Sequence, residues 1–112
     1  MVSEMTNNSI IEDVKKTIGI DKDNTAFDTT IVAGINAAFG VLGQIGYSED
    51  YTVSSYYDVW GDYTDNTKAL SFIVPYVSLK TRMLFDPPSG SAKDAYDNLM
   101  NEYLFRLEDI TL

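Results

Sequence analysis

The segment "SLKTRMLFDPPSGSAKD", residues 78–94, joins two helical patterns through two consecutive prolines. Pro87 pushes Asp86 out of the helical region, so the preceding helix must end near Phe85. Pro88 keeps Pro87 extended as well, and the Ser and Gly residues that follow supply a turn. The stretch "FDPPSG" offers no nucleophile, general base or phosphate-binding loop. We therefore interpret Phe85, Asp86, Pro87 and Pro88 as an architectural corner.

The pattern before this corner predicts a central helix from about Asn66 to Phe85. This helix is apolar nearly all round, which indicates burial between other elements. One side carries Leu70, Ile73, Val74, Val77 and Leu84, and the other carries Phe72, Tyr76, Leu79 and Met83. Pro75 lies inside the helix and removes one backbone hydrogen bond, so we expect a kink or two shorter helices.

The N-terminal part predicts a short first helix over about residues 10–18. Ser9 and Glu12 have the spacing of a capping box at its start. Gly19 stands where a helix-ending glycine belongs. Residues 1–8 precede the cap and are expected to be frayed.

Two further helices complete the prediction. A second helix, over about residues 27–45, carries one broad apolar stripe. The stripe consists of Ile31, Ile35, Ala38, Phe39, Leu42 and Ile45. A fourth helix, over about residues 92–109, should turn one apolar side to the core. That side consists of Ala95, Leu99, Met100, Tyr103, Leu107 and Ile110. The sequence thus predicts a single all-α domain over residues 1–112, a small bundle of about four helices.

The opposite side of the second helix is unusual because no residue from Thr29 to Tyr47 is charged. Small residues there would let another backbone approach closely, and they include Ala33, Ala37, Gly40 and Gly43. Two interpretations stay open at this point. Either another helix of the same domain covers this side, or it forms an interface between subunits.

Residues 46–65 form a long aromatic connection between the second and third helices. They hold five of the eight tyrosines and the only tryptophan, without Lys or Arg. Alternating apolar residues from Tyr51 to Val59 allow a short strand or β-hairpin. One interpretation is a loop folded over the core. The other is a contact loop, since Tyr and Trp are enriched at interfaces. Its candidate residues are Tyr51, Tyr56, Tyr57, Trp60 and Tyr63.

Composition excludes several classes of function. The chain has no histidine and no cysteine, so Ser-His-Asp and Cys-His hydrolases and ordinary zinc sites are excluded. An EF-hand beginning at Asp21 would have Ala26 in place of the required Gly and Val32 in place of the bidentate Glu. We therefore predict no catalytic residues, no cofactor and no bound metal, and we do not expect an enzyme.

The charge balance argues against nucleic-acid binding. Seventeen acidic and eight basic residues give a net charge of −9, whereas tight DNA binding needs Lys and Arg to neutralise phosphates. The N-terminus has no basic or apolar segment typical of a signal peptide, and the longest apolar stretch, residues 31–45, is too short to span a bilayer. We expect a soluble protein that does not associate with membranes.

The C-terminal half carries a more specific signal. The segment "YVSLKTRMLFDPPSGSAKDAYDNLMNEYLFRL", residues 76–107, resembles tailed-phage head-tail connector proteins, also called head-completion or adaptor proteins. In that family an apolar helix ends in a basic "LFDPP" pattern, and the last helix ends in an aromatic-Arg-Leu motif. Here that motif is "FRL", residues 105–107. The segments "INAAFGVLGQIG" and "YYDVWGDYTD" also resemble family patterns, so the likeness extends over about residues 9–108.

The resemblance implies a structural role in the virion, at the head-tail junction of a phage made in the host cytoplasm. Such proteins form a ring beneath the portal vertex, matching the twelve-fold portal, that extends the DNA channel. The implied partners are further copies of the chain, the portal protein and the next neck or tail-completion protein. DNA would pass through without specific binding.

One alternative from another class stays open. A small acidic protein that mimics DNA, or otherwise regulates another protein by binding it, would also carry a charge of −9. Its carboxylates are not arranged in evident paired rows, and the "FDPP" pattern would then be unexplained. Binding to portal protein rather than to DNA-binding proteins would separate the two hypotheses.

Overall fold

A computed structural model describes residues 6–47, 51–85 and 87–111 of the chain. Within these ranges five helices are described: α1 (Ile10–Ile18), α2 (Asp28–Gln44), α3 (Trp60–Tyr63), α4 (Thr67–Phe85) and α5 (Gly90–Thr111). The predicted all-α class is confirmed, because the described ranges contain no strand. Their one β feature is an isolated antiparallel bridge between Ser9 and Val59.

The β-hairpin considered for the aromatic connection does not form in residues 51–65. Its residues bond to helices, to the N-terminal segment and to near neighbours within turns, without pairing as strands. Asn36 of α2 holds the backbone of Val53, and the carbonyl of Asn8 accepts from the N–H of Trp60 at 3.3 Å. This contact also places part of the segment that was expected to fray against α3. Residues 1–5 and 48–50 lie outside the described ranges.

The bounds of α1 follow from its two caps, as predicted. The hydroxyl oxygen of Ser9 accepts a hydrogen bond from the backbone N–H of Glu12 at 3.3 Å. Gly19 ends the helix with a φ of 84°. Its N–H donates to the carbonyls of Lys15 and Lys16 in the last turn. Glycine adopts this left-handed conformation without the steric cost of a Cβ.

Helix α4 is the centre of the bundle, as its pattern predicted. It packs against α1, α2 and α5, and α1 also packs on α2. Asn66 caps it by accepting from the N–H of Ala69 at 3.0 Å. Because α4 continues through Pro75 as one helix, the expectation of two shorter helices is wrong. Its buried face includes two polar residues, Ser78 and Thr81.

Three predicted core positions are corrected by the structure. Leu84 is 57 % exposed, although one of its methyl groups lies against Gly34 of α2. Leu99 is 38 % exposed and Ala95 is also exposed. Helix α5 packs through Met100, Tyr103 and Leu107, as predicted, together with Leu104. Its packed side is therefore rotated by about a sixth of a turn from the predicted one.

The corner after α4 begins where the prolines predicted. Phe85 is the last residue of α4, and its ring packs edge-on against Phe27 with centroids 5.5 Å apart. Asp86 lies outside the described residues, whereas Pro87 is exposed and Pro88 is half-buried. Helix α5 starts at Gly90 with a φ of 61°, again a glycine conformation. Within the described ranges, none of the helices is long and apolar enough to cross a bilayer.

Candidate interaction surfaces

The aromatic connection packs into the core through its rings. Trp60 is fully buried, and its indole N–H donates to the Asp13 carboxylate of α1 at 2.8 Å. The Phe39 ring of α2 lies at the centre of the cluster, 4.5 Å from the Tyr63 ring and 5.2 Å from the Tyr51 ring. These tilted and edge-on contacts are favourable geometries for aromatic rings. The cluster fixes the connection to α1 and α2.

Hydrogen bonds between side chains and the backbone fix the same connection around Val53 and Asp58. The side-chain amide of Asn36 donates to the carbonyl of Val53 at 3.1 Å and accepts from its N–H at 2.7 Å. The Asp58 carboxylate accepts from the backbone N–H groups of Ser54 and Ser55 at 2.7 and 3.0 Å. Asn36 of α2 therefore holds the loop in place.

Lys15 is a buried cation that joins α1, α2 and the connection. Its side chain is 0 % exposed, and its Nζ lies 2.9 Å from Asp28 Oδ1. The ammonium donates to the Tyr56 hydroxyl oxygen at 2.7 Å and to the carbonyl of Lys22 at 3.2 Å. The Tyr56 hydroxyl in turn donates to Asp28 Oδ2 at 2.5 Å. This triad satisfies a charge whose burial would otherwise be costly.

Burial and pairing act in opposite directions on the pKa values of the triad. Desolvation lowers the pKa of Lys15, but its hydrogen bonds and charge interactions with Tyr56 and Asp28 outweigh it, so the pKa lies above the ordinary 10.5. Desolvation raises the pKa of Asp28, but Tyr56 and Lys15 together hold it below the ordinary 3.8. Lys15 and Asp28 are therefore both charged at neutral pH.

Ala33, Ala37 and Gly40 lie together on an exposed side of α2, which we call the α2 outer face. Among the described residues, no atom beyond the local helix lies within 4 Å of where a Cβ of Gly40 would be. No other helix of the described chain covers these three residues, so the interpretation of an internal helix contact is wrong for them. Gly43 is only partly exposed.

The aromatic candidates divide into two groups. Trp60 and Tyr63 are buried, and Tyr51 and Tyr56 are half-buried in the contacts described above. Tyr57 is 91 % exposed. The interpretation of a loop folded over the core therefore describes most of these rings, and Tyr57 is the ring that the structure presents to solvent.

A groove that sequence reasoning missed runs beside the α2 outer face. Helices α2 and α5 both pack on α4 but scarcely on each other. Two cavities of about 200 and 330 Å³ lie between them and share Lys80, Asp97 and Met100. Their lining also includes Ala37, Val41, Leu84 and Leu104. We call this the α2–α5 groove, and Ala37 belongs to both surfaces.

The charged side chains do not assemble a chemical centre in the described ranges. A hollow of about 470 Å³ beside the end of α1 is lined by residues that include Glu12, Lys16 and Asp21. These side chains are exposed to solvent. Residues 6–47, 51–85 and 87–111 contain no group of three or more His, Cys, Asp or Glu side chains placed to hold a metal ion.

Comparison with known families assigns the chain. The family described as phage connector protein matches residues 10–111, a range that includes all five helices. Neither a curated protein nor a solved structure matches the chain. The family match agrees with the resemblance found around the "LFDPP" corner. The chain therefore belongs to the phage connector protein family, and its role is that of a structural connector component of a phage.

Proposed function

We propose that copies of this chain assemble into a ring at the portal vertex, where the ring joins the head to the neck or tail and extends the DNA channel. Family membership supports association with portal or head proteins and with tail proteins. The observation that carries the ring is the exposed α2 outer face. A ring requires contacts between different patches on successive copies.

The chemistry of the α2 outer face favours a protein partner over water. Helix sides that face solvent normally carry charged residues, but none occurs from Thr29 to Tyr47. Gly40 costs about 1 kcal/mol of helix propensity relative to Ala. Close approach of another backbone at Ala33, Ala37 and Gly40 would offset that cost. The face is therefore our candidate for the contact between copies.

The charge distribution supports passage of DNA without binding. The net charge is −9, and several cations are already neutralised within the chain. Lys15 pairs with Asp28, Lys93 with Asp97, and Arg106 with Glu102. Phosphate binding requires unpaired Lys and Arg in a positive groove. An acidic ring would repel the DNA backbone and let it slide.

Tyr57 is our candidate for a contact with the portal or with a neighbouring copy. Its ring is 91 % exposed, although the loop around it is fixed by hydrogen bonds. A rigidly held exposed Tyr is a frequent source of binding energy at interfaces.

The test compares binding of wild type and Gly40→Trp to purified portal protein of the same phage. Light scattering gives the mass of chain bound per portal, and circular dichroism checks the helices. We expect the wild type to form a ring and Gly40→Trp to lose it with unchanged helical content. The matched control is Ala95→Trp, which adds the same ring on the exposed side of α5. Retained ring formation by Gly40→Trp would refute the role of the α2 outer face.

A further inference from the structure

The α2–α5 groove contains a cation without an ion-pair partner among the described residues. Lys80 of α4 lies half-buried between apolar walls. Asp97 lines the same groove, but its carboxylate is already held by Lys93 at 2.7 Å. A partly desolvated ammonium gains most from an opposite charge brought to it. The groove is therefore suited to an occupant that carries a carboxylate.

The rest of the groove is suited to an apolar side chain. Leu84 lines it and is 57 % exposed, and Met83 and Ala37 are its neighbours in the lining. Exposed apolar surface of this kind releases water when a partner covers it. The occupant should thus carry an apolar side chain and, close to it, an acidic side chain.

The chain itself presents this combination on α5. Phe105 is 70 % exposed. Asp109 follows four residues later, so the two side chains are neighbours on the helix surface, and Asp109 is also exposed. In the "FRL" motif Leu107 is buried, and Arg106 forms an exposed pair with Glu102. Phe105 is the apolar member of the motif that stays in solvent.

We propose that Phe105 and Asp109 of one copy dock into the α2–α5 groove of the next copy. Phe105 packs against Leu84, and the Asp109 carboxylate pairs with Lys80. The proposal rests on the proposed ring, because it names a contact between its subunits. Donor patch and groove are different surfaces, so the contact can repeat from copy to copy. The groove adjoins the α2 outer face at Ala37, so both surfaces would belong to one contact between copies.

Cysteine cross-linking tests the contact directly, because the chain has no cysteine of its own. Chains with Phe105→Cys and chains with Leu84→Cys are mixed, assembled on portal protein and treated with a short cross-linker for two thiols. We expect a cross-linked pair that contains one chain of each kind. Thr17→Cys replaces Phe105→Cys in the control, since Thr17 is also exposed but lies on α1.

Charge exchange tests the ion pair. We expect Lys80→Glu and Asp109→Lys each to weaken assembly about tenfold, and the double variant to restore it. Lys68→Glu and Asp65→Lys are matched controls at exposed positions and should change assembly little. If portal or tail protein fills the groove, Lys80→Glu weakens binding and Asp109→Lys does not rescue it, which overturns the proposal.

The outcomes separate this contact from the proposed function. A ring that forms on portal without cross-linking above the control refutes the docking of Phe105 and leaves the ring standing. Failure of the wild type to assemble on portal refutes the ring, and the contact with it.

Discussion

Gly34 of α2 and Thr81 of α4 approach so closely that a Cβ on Gly34 would lie 3.0 Å from Thr81 Cγ2 and 3.1 Å from Thr81 Cα. The second distance is to backbone, which cannot turn away as a side chain can. This crossing sets the separation of the two helices, and with it one wall of the α2–α5 groove. Gly40, two turns further along α2, has open space instead.

The first prediction contrasts these two glycines. Gly34→Ala should destabilise the chain by about 1–3 kcal/mol, because α2 and α4 must separate. Gly40→Ala should stabilise the free chain by up to about 1 kcal/mol, because only helix propensity changes. Urea unfolding followed by circular dichroism measures both. Equal effects of the two substitutions would contradict the close crossing.

The second prediction concerns the buried pair. Asp28→Asn leaves the Lys15 ammonium buried without its carboxylate and should cost about 3 kcal/mol in the free energy of unfolding. Glu102→Gln removes the exposed pair with Arg106 and should cost about 0.5 kcal/mol or less. Chemical denaturation of the two variants gives the comparison. A loss of the same small size in both variants would show that Lys15 has water or another partner.

The third prediction is the pH dependence of that pair. The pKa of Asp28 lies below 3.8, so its stabilisation is present above that pH and is lost as the pH falls through the lower folded value. The pKa of Lys15 lies above 10.5, so its share is present below that pH and is lost as the pH rises beyond it. The stability difference between wild type and Asp28→Asn should therefore shrink in acid. A difference that stayed constant from pH 7 into strong acid would contradict the pairing.

The fourth prediction uses the single tryptophan. Trp60 is fully buried and bonded to Asp13, so its fluorescence should be blue-shifted and protected from quenching by iodide. Trp60→Phe should lower stability by about 2 kcal/mol, through the lost hydrogen bond and lost volume. Tyr57→Ala should change stability by less than about 0.5 kcal/mol and affect only binding. Emission quenched by iodide in the folded chain would show that the connection is not packed in the core.

The fifth prediction applies one substitution at two tyrosines. Burial, with the charges of Asp58 and Asp62, raises the pKa of Tyr51 to about 12, and its hydroxyl has no hydrogen-bond partner among the described residues. Tyr51→Phe should therefore stabilise the chain by about 1 kcal/mol. Tyr56→Phe breaks the contacts with Lys15 and Asp28 and should destabilise it by about 1–3 kcal/mol. Thermal unfolding measures the stability of both variants. A loss of stability in Tyr51→Phe would mean that the Tyr51 hydroxyl is hydrogen-bonded in the wild type.

The local elements could be predicted because their signals are local. The cap at Ser9, the stop at Gly19 and the prolines after Phe85 act within a few residues, and the structure places α1 and the end of α4 where they indicated. The corner also carried the family resemblance. The bounds of α1 and the end of α4 both depend on backbone geometry that neighbouring residues determine.

The surfaces could not be predicted to the same degree, because distant contacts decide them. From its neighbours in the sequence, Lys15 would be expected at the surface. Its burial depends on a contact with Tyr56, which lies 41 residues later. Gly34 gave no signal of its own, since its role depends on Thr81 in another helix. A stripe of apolar residues also leaves its exact direction open, which is why Leu99 was assigned to the core.

Cryo-electron microscopy of the neck of the intact virion tests the central claim most directly. The account predicts a closed ring of this chain between portal and tail around the DNA channel. In that ring the α2 outer face lies at the contact between neighbouring copies. A neck that lacks the chain, or that contains it as isolated copies without contacts between them, would contradict the account.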